Sequence, residues 1–142
     1  MTSRQILEPK WSSQREREMS NESELRDVAN KYFDALYSGD TALFGEIFHP
    51  AAMLYCFTEE SPVIMSVERY LEIVRGRASP ASREDPREDQ IVSIEIPTST
   101  TAHLRVSEIF LPKQFTDELT LVKTAAGWKI VSKVWHFTLR HA

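Results

Sequence analysis

The spacing of apolar residues changes along the chain, and this change limits the folds that the chain can adopt. In the first half, apolar residues recur every three or four positions, which is the period of an amphipathic helix. One such stripe consists of Leu25, Val28, Ala29, Tyr32, Phe33, Leu36 and Tyr37. We predict that this helix begins at Asn21, which forms a capping box with Glu24, and ends at Gly39. Asp40 and Ser66 are predicted to cap two further helices.

The second half of the chain has the alternating period of β-strands. After a charged loop at residues 75–89, the predicted strands are QIVSIEI, TAHLRVSEIFL, FTDELTLVKT and WKIVSKVWHF. One earlier strand is predicted at residues 51–57, between the second and third helices. Helices followed by strands indicate an α+β domain with its helices on one face of an antiparallel sheet. A long curved sheet covered by helices tends to leave a pocket between them.

The N-terminal segment differs from the rest of the chain. Residues 1–20 are polar and have no apolar period, so we expect a flexible extension in which Trp11 is the one obvious anchor. The folded domain is predicted to cover residues 21–139.

Composition narrows the classes of function. The chain has 142 residues and a net charge of −4, so it lacks the basic patch that nucleic-acid binding requires. It has no apolar run long enough for a membrane span and no apolar core of a signal peptide, and we expect a cytoplasmic protein. Cys56 is the one cysteine, and no metal-binding spacing of His and Cys is present. We therefore expect neither a metal nor a cofactor.

Two predicted strands aim a carboxylate at their apolar face. Asp117 in FTDELTL and Glu108 in LRVSEIF each alternate with apolar residues, whereas Glu118 lies on the opposite face from Asp117. Because an unpaired buried charge costs several kcal/mol, each acid needs a donor or a raised pKa. Asp117 is either a cavity acid or a structural acid that bonds a backbone amide or Lys133. Glu108 is either a general base or a residue at solvent or a subunit interface.

The local sequences resemble a known superfamily. The runs YFDALYSGD and LFGEIFHPAAMLY, followed by SVERYLEIVRGRASPASREDPR and FTDELTLVKTAAGWKIVSKVWHF, are similar to the nuclear transport factor 2-like superfamily. Within it, they most resemble small bacterial proteins described as "putative lumazine-binding". The resemblance covers residues 22–138. It implies a cone-shaped barrel, in which a curved antiparallel sheet is wrapped by three N-terminal helices. It does not imply one activity, because this scaffold carries enzymes and binding modules alike.

The ketosteroid isomerase branch of this superfamily suggests roles for two residues. In that branch, a tyrosine and a protonated aspartate donate hydrogen bonds to a developing enolate. Tyr32 lies seven residues before Gly39 and matches the tyrosine, and Asp117 matches the protonated aspartate at the start of its strand. The resemblance therefore implies that Tyr32 and Asp117 are oxyanion donors. Cys56 stands where that branch has its catalytic aspartate, so the usual base is missing.

Several other residues have two readings each. Cys56 is either inert packing or a nucleophile or base, and His136 is either an acid–base group or a hydrogen-bonded residue of the core or rim. The predicted contacts of the substrate are Tyr55, Phe57, Phe115, Leu119 and Lys133. Four arginines in the charged loop could guide an anionic ligand, but four neighbouring acids nearly cancel them and favour a solvated loop. These arginines are Arg75, Arg77, Arg83 and Arg87.

Two classes of function remain open. The first is a cofactor-free isomerase or dehydratase that acts α to a carbonyl of a small hydrophobic or aromatic substrate, with Glu108, His136 or Cys56 moving the proton. The second is a binding protein that holds a ligand in the same pocket without turnover. The resemblance also implies a homodimer through the outer face of the sheet. Val131, Trp135 and Phe137 agree with this, because they make one face of the last strand strongly apolar.

Overall fold

The computed structural model describes residues 10–140 and the side chains from Ser13 onward. The helices are α1 (Lys10–Ser38), α2 (Thr41–Ile47) and α3 (Val67–Gly76). The strands are β1 (Phe48–Cys56), β2 (Val63–Ser66), β3 (Gln90–Glu95), β4 (Thr101–Phe110), β5 (Lys113–Thr124) and β6 (Gly127–Leu139). The α+β class with three helices is confirmed. The strand β2 was not predicted, because four residues are too few to show an alternating pattern.

The strands form one open, curved sheet in the order β2-β1-β6-β5-β4-β3. Neighbouring strands are antiparallel except β1 and β6, which run parallel. The prediction of a wholly antiparallel sheet is therefore wrong for this pair, and the sheet is mixed. Parallel neighbours need a long crossover connection. Here the chain between β1 and β6 contains the rest of the sheet and α3, so no local sequence pattern predicts that β1 and β6 pair in parallel.

Helix α1 is longer than predicted. It continues back to Lys10, so the predicted start at Asn21 is wrong. The two residues of the expected capping box bond the start of β6 instead. The Trp128 indole nitrogen donates to Asn21 Oδ1 over 3.1 Å, and the Trp128 backbone nitrogen donates to Glu24 over 2.8 Å. Residues 1–9 lie outside the described residues, and the domain boundaries at residues 20 and 139 stay predictions.

The other predicted helix boundaries are confirmed at their caps. Gly39 takes a positive φ of 72°, which ends α1 at the expected glycine. The Asp40 carboxylate accepts from the backbone nitrogen of Leu43, and the Ser66 hydroxyl accepts from that of Arg69, each over 3.1 Å. These turns fold the helices onto the concave face of the sheet, where the apolar core lies.

A bulge in β6 decides which of its side chains face the helices. Thr120 pairs with Ser132 but Leu121 pairs with Ile130, so Val131 is an extra residue in β6. After this bulge Lys133 is buried and Val134 is 43% exposed. The face with Lys133, Trp135 and Phe137 is therefore the concave one, so the assignment of Trp135 and Phe137 to an outer dimer face is wrong. The ring of Trp135 packs against the core.

Candidate functional site

A small cavity lies between the helices and the concave face of the sheet. Its volume is about 160 Å³, close to the roughly 150 Å³ that is enough to hold one benzene ring. Its apolar and aromatic lining consists of Leu36, Tyr70, Ile109, Phe110, Phe115 and Trp135. Its charged lining consists of Arg77, Glu108, Lys113 and Lys133. The cavity therefore combines ring-sized apolar walls with a few polar groups, which is typical of a ligand site.

The two acids predicted on apolar faces are both buried beside this cavity. In the register of β4 and β5, Asp117 pairs with Val106 and Glu108 pairs with Phe115, so the acids are diagonal neighbours on one face. Glu108 is 4% exposed and Asp117 is fully buried. Burial raises the pKa of Glu108 well above its usual range, and the charge of Asp117 and a hydrogen bond with its carboxyl raise that pKa further. The arrangement favours a protonated Glu108.

Tyr32 and Asp117 form a pair behind the cavity. The Tyr32 hydroxyl donates a hydrogen bond to Asp117 Oδ2 over 2.5 Å. Burial, followed by the charges of Asp117 and Glu108, raises the pKa of Tyr32, so the phenol keeps its proton. Both side chains are fully buried, and neither lines the cavity. The donor of Tyr32 is thus used by Asp117.

Lys133 places a cation at the inner wall of the cavity. Its Nζ donates to the Tyr70 hydroxyl over 3.4 Å, and it lies 4.8 Å from the Tyr70 ring centroid and 5.2 Å from the Trp135 centroid. Burial alone would lower the pKa of Lys133. However, Tyr70, Asp117 and Glu108 raise it, and the net pKa is raised. Lys133 therefore stays an ammonium ion although it is buried, with only 5% of its surface exposed.

The sequence and fold identify the family. A family model described as "Putative lumazine-binding" matches residues 20–136. The chain belongs to this family. Among curated protein sequences, no match was found.

Solved structures show the same fold as this family member. A nuclear transport factor 2-like protein of unknown function from Silicibacter pomeroyi DSS-3 has a TM-score of 0.76 at 22% identity, covering 84% of this chain and 98% of that chain. One from Methylobacillus flagellatus KT, also of unknown function, has a TM-score of 0.72 at 25% identity, covering 87% and 94%. A ketosteroid isomerase-like protein from Erwinia carotovora atroseptica SCRI1043 has a TM-score of 0.60 at 13% identity, covering 79% and 92%. The predicted nuclear transport factor 2-like fold is confirmed.

Only some of the predicted site residues meet at the cavity. Glu108, Phe115 and Lys133 line it. Leu119 lies in the core and is fully buried, so it is not in the lining. Phe57 is 66% exposed at the end of β1 and is also outside the lining.

Tyr55, Cys56 and His136 lie apart from the cavity lining. Tyr55 pairs with Ile64 and Val134, which are exposed, so it lies on the outer face. Cys56 is buried, and its thiol contacts the Thr58 hydroxyl at 3.5 Å. His136 is exposed, and its Nδ1 lies 2.9 Å from the same hydroxyl. The structure thus places Cys56 and His136 near each other but not in the cavity.

Sequence reasoning missed Tyr70 and Trp135 as lining residues. Tyr70 was a member of the apolar stripe of α3, and nothing in a stripe tells a core tyrosine from one beside a cavity. Trp135 was placed on the wrong face, because the bulge at Val131 reverses the alternation. In residues 10–140 no cluster of three or more potential metal ligands was found, and no helix there is long and apolar enough to cross a membrane.

Proposed function

We propose that the cavity binds a small molecule and moves a proton α to its carbonyl, so that the protein is a cofactor-free isomerase or dehydratase. The observation that carries this proposal is the meeting of Glu108, Lys133 and Tyr70 at one cavity wall. The three groups supply a carboxyl group, a cation and a hydroxyl. The family description names lumazine binding, which supports a small-molecule ligand for this cavity.

Each group has a role that follows from its chemistry. The Lys133 ammonium and the Tyr70 hydroxyl donate to the carbonyl oxygen of the substrate and stabilise the enolate as negative charge develops there. Glu108 in its ionised form takes the α-proton; in an isomerase it returns the proton to another carbon of the enolate, and in a dehydratase it gives the proton to the β-hydroxyl, which leaves as water. A desolvated carboxylate with a raised pKa is a stronger base, which suits this proton transfer. No cofactor is needed, because Glu108 carries the proton in either case.

Tyr32 and Asp117 take a supporting role in this proposal. Their expected role as direct oxyanion donors requires contact with the substrate, and both lie behind the lining. Asp117 instead holds the Glu108 carboxyl, and the Tyr32 hydroxyl fixes Asp117. They are positioning residues.

One observation favours a second function, ligand binding without turnover. The raised pKa of Glu108 favours its neutral form, which donates a hydrogen bond but cannot accept a proton. A cavity with donors and no ionised base would hold a ligand unchanged. Proton exchange on a bound carbonyl compound separates the two functions.

The test uses acetophenone, an uncharged single-ring methyl ketone, in deuterium oxide. We expect the protein to accelerate the loss of the methyl proton signal in the NMR spectrum. Glu108→Gln should slow this exchange by about 10²–10⁴-fold, which is the usual contribution of a general base. The matched control is Glu118→Gln, because Glu118 lies on the outer face of β5 beside Arg105 and His103. If Glu108→Gln exchanged the methyl protons of acetophenone as fast as the wild type, the enzyme proposal would be contradicted. If acetophenone bound saturably but its protons did not exchange, ligand binding without turnover would be favoured.

We also propose a homodimer through the outer face of the sheet. Ile64, Tyr55 and Val134 form a row across β2, β1 and β6 on that face, and Ile64 and Val134 are 57% and 43% exposed. Light scattering should give twice the chain mass of 16.4 kDa. Val134→Lys should yield the monomer, because it places a charge in the apolar row. Val92→Lys, at an exposed position on edge strand β3, should remain a dimer. A monomeric wild-type protein would refute this assembly.

A further inference from the structure

The charges around the cavity differ from those of the whole chain. The chain has a net charge of −4. The cavity lining instead has three basic side chains, Arg77, Lys113 and Lys133, and one acidic side chain, Glu108. Even with Glu108 ionised, the lining carries a net positive charge. A cavity of this kind attracts an anion even in an acidic protein.

Arg77 differs from Arg83 and Arg87 of the charged loop. Arg83 pairs with Asp85 over 2.8 Å, and Arg87 pairs with Asp34 over 2.7 Å. Arg77 has no carboxylate partner among residues 13–140. Its guanidinium instead stacks 4.6 Å from the Phe110 ring centroid. It is thus fixed in position while its hydrogen-bond donors remain available for a ligand.

Lys113 brings a second cation to the same end of the cavity. In the register of β4 and β5, Lys113 pairs directly with Phe110, the residue on which Arg77 stacks. Lys113 Nζ lies 4.2 Å from the Phe137 ring centroid, and within the described side chains it has no ion pair. Arg77 and Lys113 are half-buried, whereas Glu108 and Lys133 are almost fully buried. Arg77 and Lys113 therefore flank the mouth of the cavity, and Glu108 and Lys133 form its floor.

The floor of the cavity is polar. Glu108 lines it and is 4% exposed, and its carboxyl shares a hydrogen bond with Asp117. Among the described residues, Glu108 Oε2 has no partner beyond this pair of carboxyl groups. A polar group of a ligand that reaches the floor can therefore bond Glu108.

The geometry points to a small aromatic carboxylate as the ligand: Arg77 and Lys113 hold its carboxylate at the mouth, and Phe110, Phe115 and Trp135 enclose its ring. The planar guanidinium favours a planar carboxylate, which it binds through two parallel hydrogen bonds. The cavity volume of about 160 Å³ limits the apolar part of the ligand to about one ring. The opposite end of the ligand reaches the floor, and a polar group there contacts Glu108 and Lys133. This inference rests on the proposed function, since it names the substrate class of the same cavity.

The experiment compares benzoate with benzamide, which has nearly the same shape but no charge, by calorimetry on the full chain. We expect benzoate to bind at least about ten-fold more tightly. Arg77→Gln should weaken benzoate binding by about 10–100-fold, the range for one charged hydrogen-bonding group, and should weaken benzamide binding much less. Lys113→Met should act in the same direction. The matched control is Arg75→Gln, because Arg75 lies two residues earlier on α3, is exposed and is not in the lining.

The outcomes separate this inference from the proposed function. Equal affinity for benzoate and benzamide, unaffected by Arg77→Gln and Lys113→Met, would overturn the anionic ligand and leave proton exchange on acetophenone intact. Failure to bind either compound, with acetophenone exchange present, would also overturn it. Absence of both binding and exchange would refute the proposed function and this inference with it. Circular dichroism of each variant confirms that it is folded before its affinity is compared.

Discussion

Replacing Lys133 with methionine is expected to lower the free energy of unfolding by about 3–5 kcal/mol, because it strands the buried carboxylate of Asp117 without its cation. A domain of ordinary stability has about 5–15 kcal/mol in total, so this single change removes a large share. Methionine keeps the length of the side chain, so the loss reports the charge more than the packing. Urea unfolding at pH 7 measures it.

Two controls identify the cause of this loss. Lys31→Met removes an exposed lysine that faces Glu46 at 3.6 Å, and it should cost no more than about 1 kcal/mol. The double variant Lys133→Met/Asp117→Asn should lose less than the sum of its single changes, since no charge at position 117 is then stranded. A loss below about 1 kcal/mol for Lys133→Met would show that the buried cluster does not need its cation.

Glu108→Gln is expected to stabilise the protein as the pH rises above the ordinary glutamate range. The pKa of Glu108 is raised in the folded state by burial and by Asp117. Below the unfolded value of about 4.3, both states bind the proton and stability does not change with pH. Above it the unfolded chain releases the proton while the folded chain keeps it, so wild-type stability falls until the pH passes the folded pKa. Glutamine stays neutral throughout.

The difference between the variant and the wild type gives the size of this effect. In that pH window the advantage of Glu108→Gln should grow by about 1.4 kcal/mol per pH unit. Unfolding by urea at a series of pH values measures it, and Glu118→Gln serves as the exposed control. A constant difference between pH 4 and pH 8 would contradict a raised pKa. The expected variant is more stable and inactive, as is common when a strained site is neutralised.

The elements of the fold were largely predictable because local patterns specify them. The stripe on α1 and the alternation in β4 and β5 predicted the elements, and the alternation placed Asp117 and Glu108 on the apolar face of their strands, where both are buried. A strand has only two faces, so one strongly apolar face suffices to place every residue along it. The caps at Asp40 and Ser66 were predictable for the same reason, since each is a contact within one turn.

The remaining errors have non-local causes. A single extra residue at Val131 reverses the faces of β6, and no local signal marks it. Trp135 consequently lines the cavity rather than an outer surface, whereas Lys133 lines it as predicted. The role of Arg77 depends on its approach to Phe110, 33 positions away in the sequence. Tyr32 and Asp117 were predicted to meet a substrate, whereas the structure shows that they bond one another.

The titration of the Glu108 carboxyl by carbon-13 NMR tests the central claim most directly, with Glu108→Gln to assign the signal. The account predicts a midpoint well above the usual value of about 4.3, and a further rise when benzoate adds negative charge to the cavity. A midpoint at the usual value, unmoved by benzoate, would mean that Glu108 is solvated and does not face a ligand. The proposed chemistry of the cavity would then be contradicted.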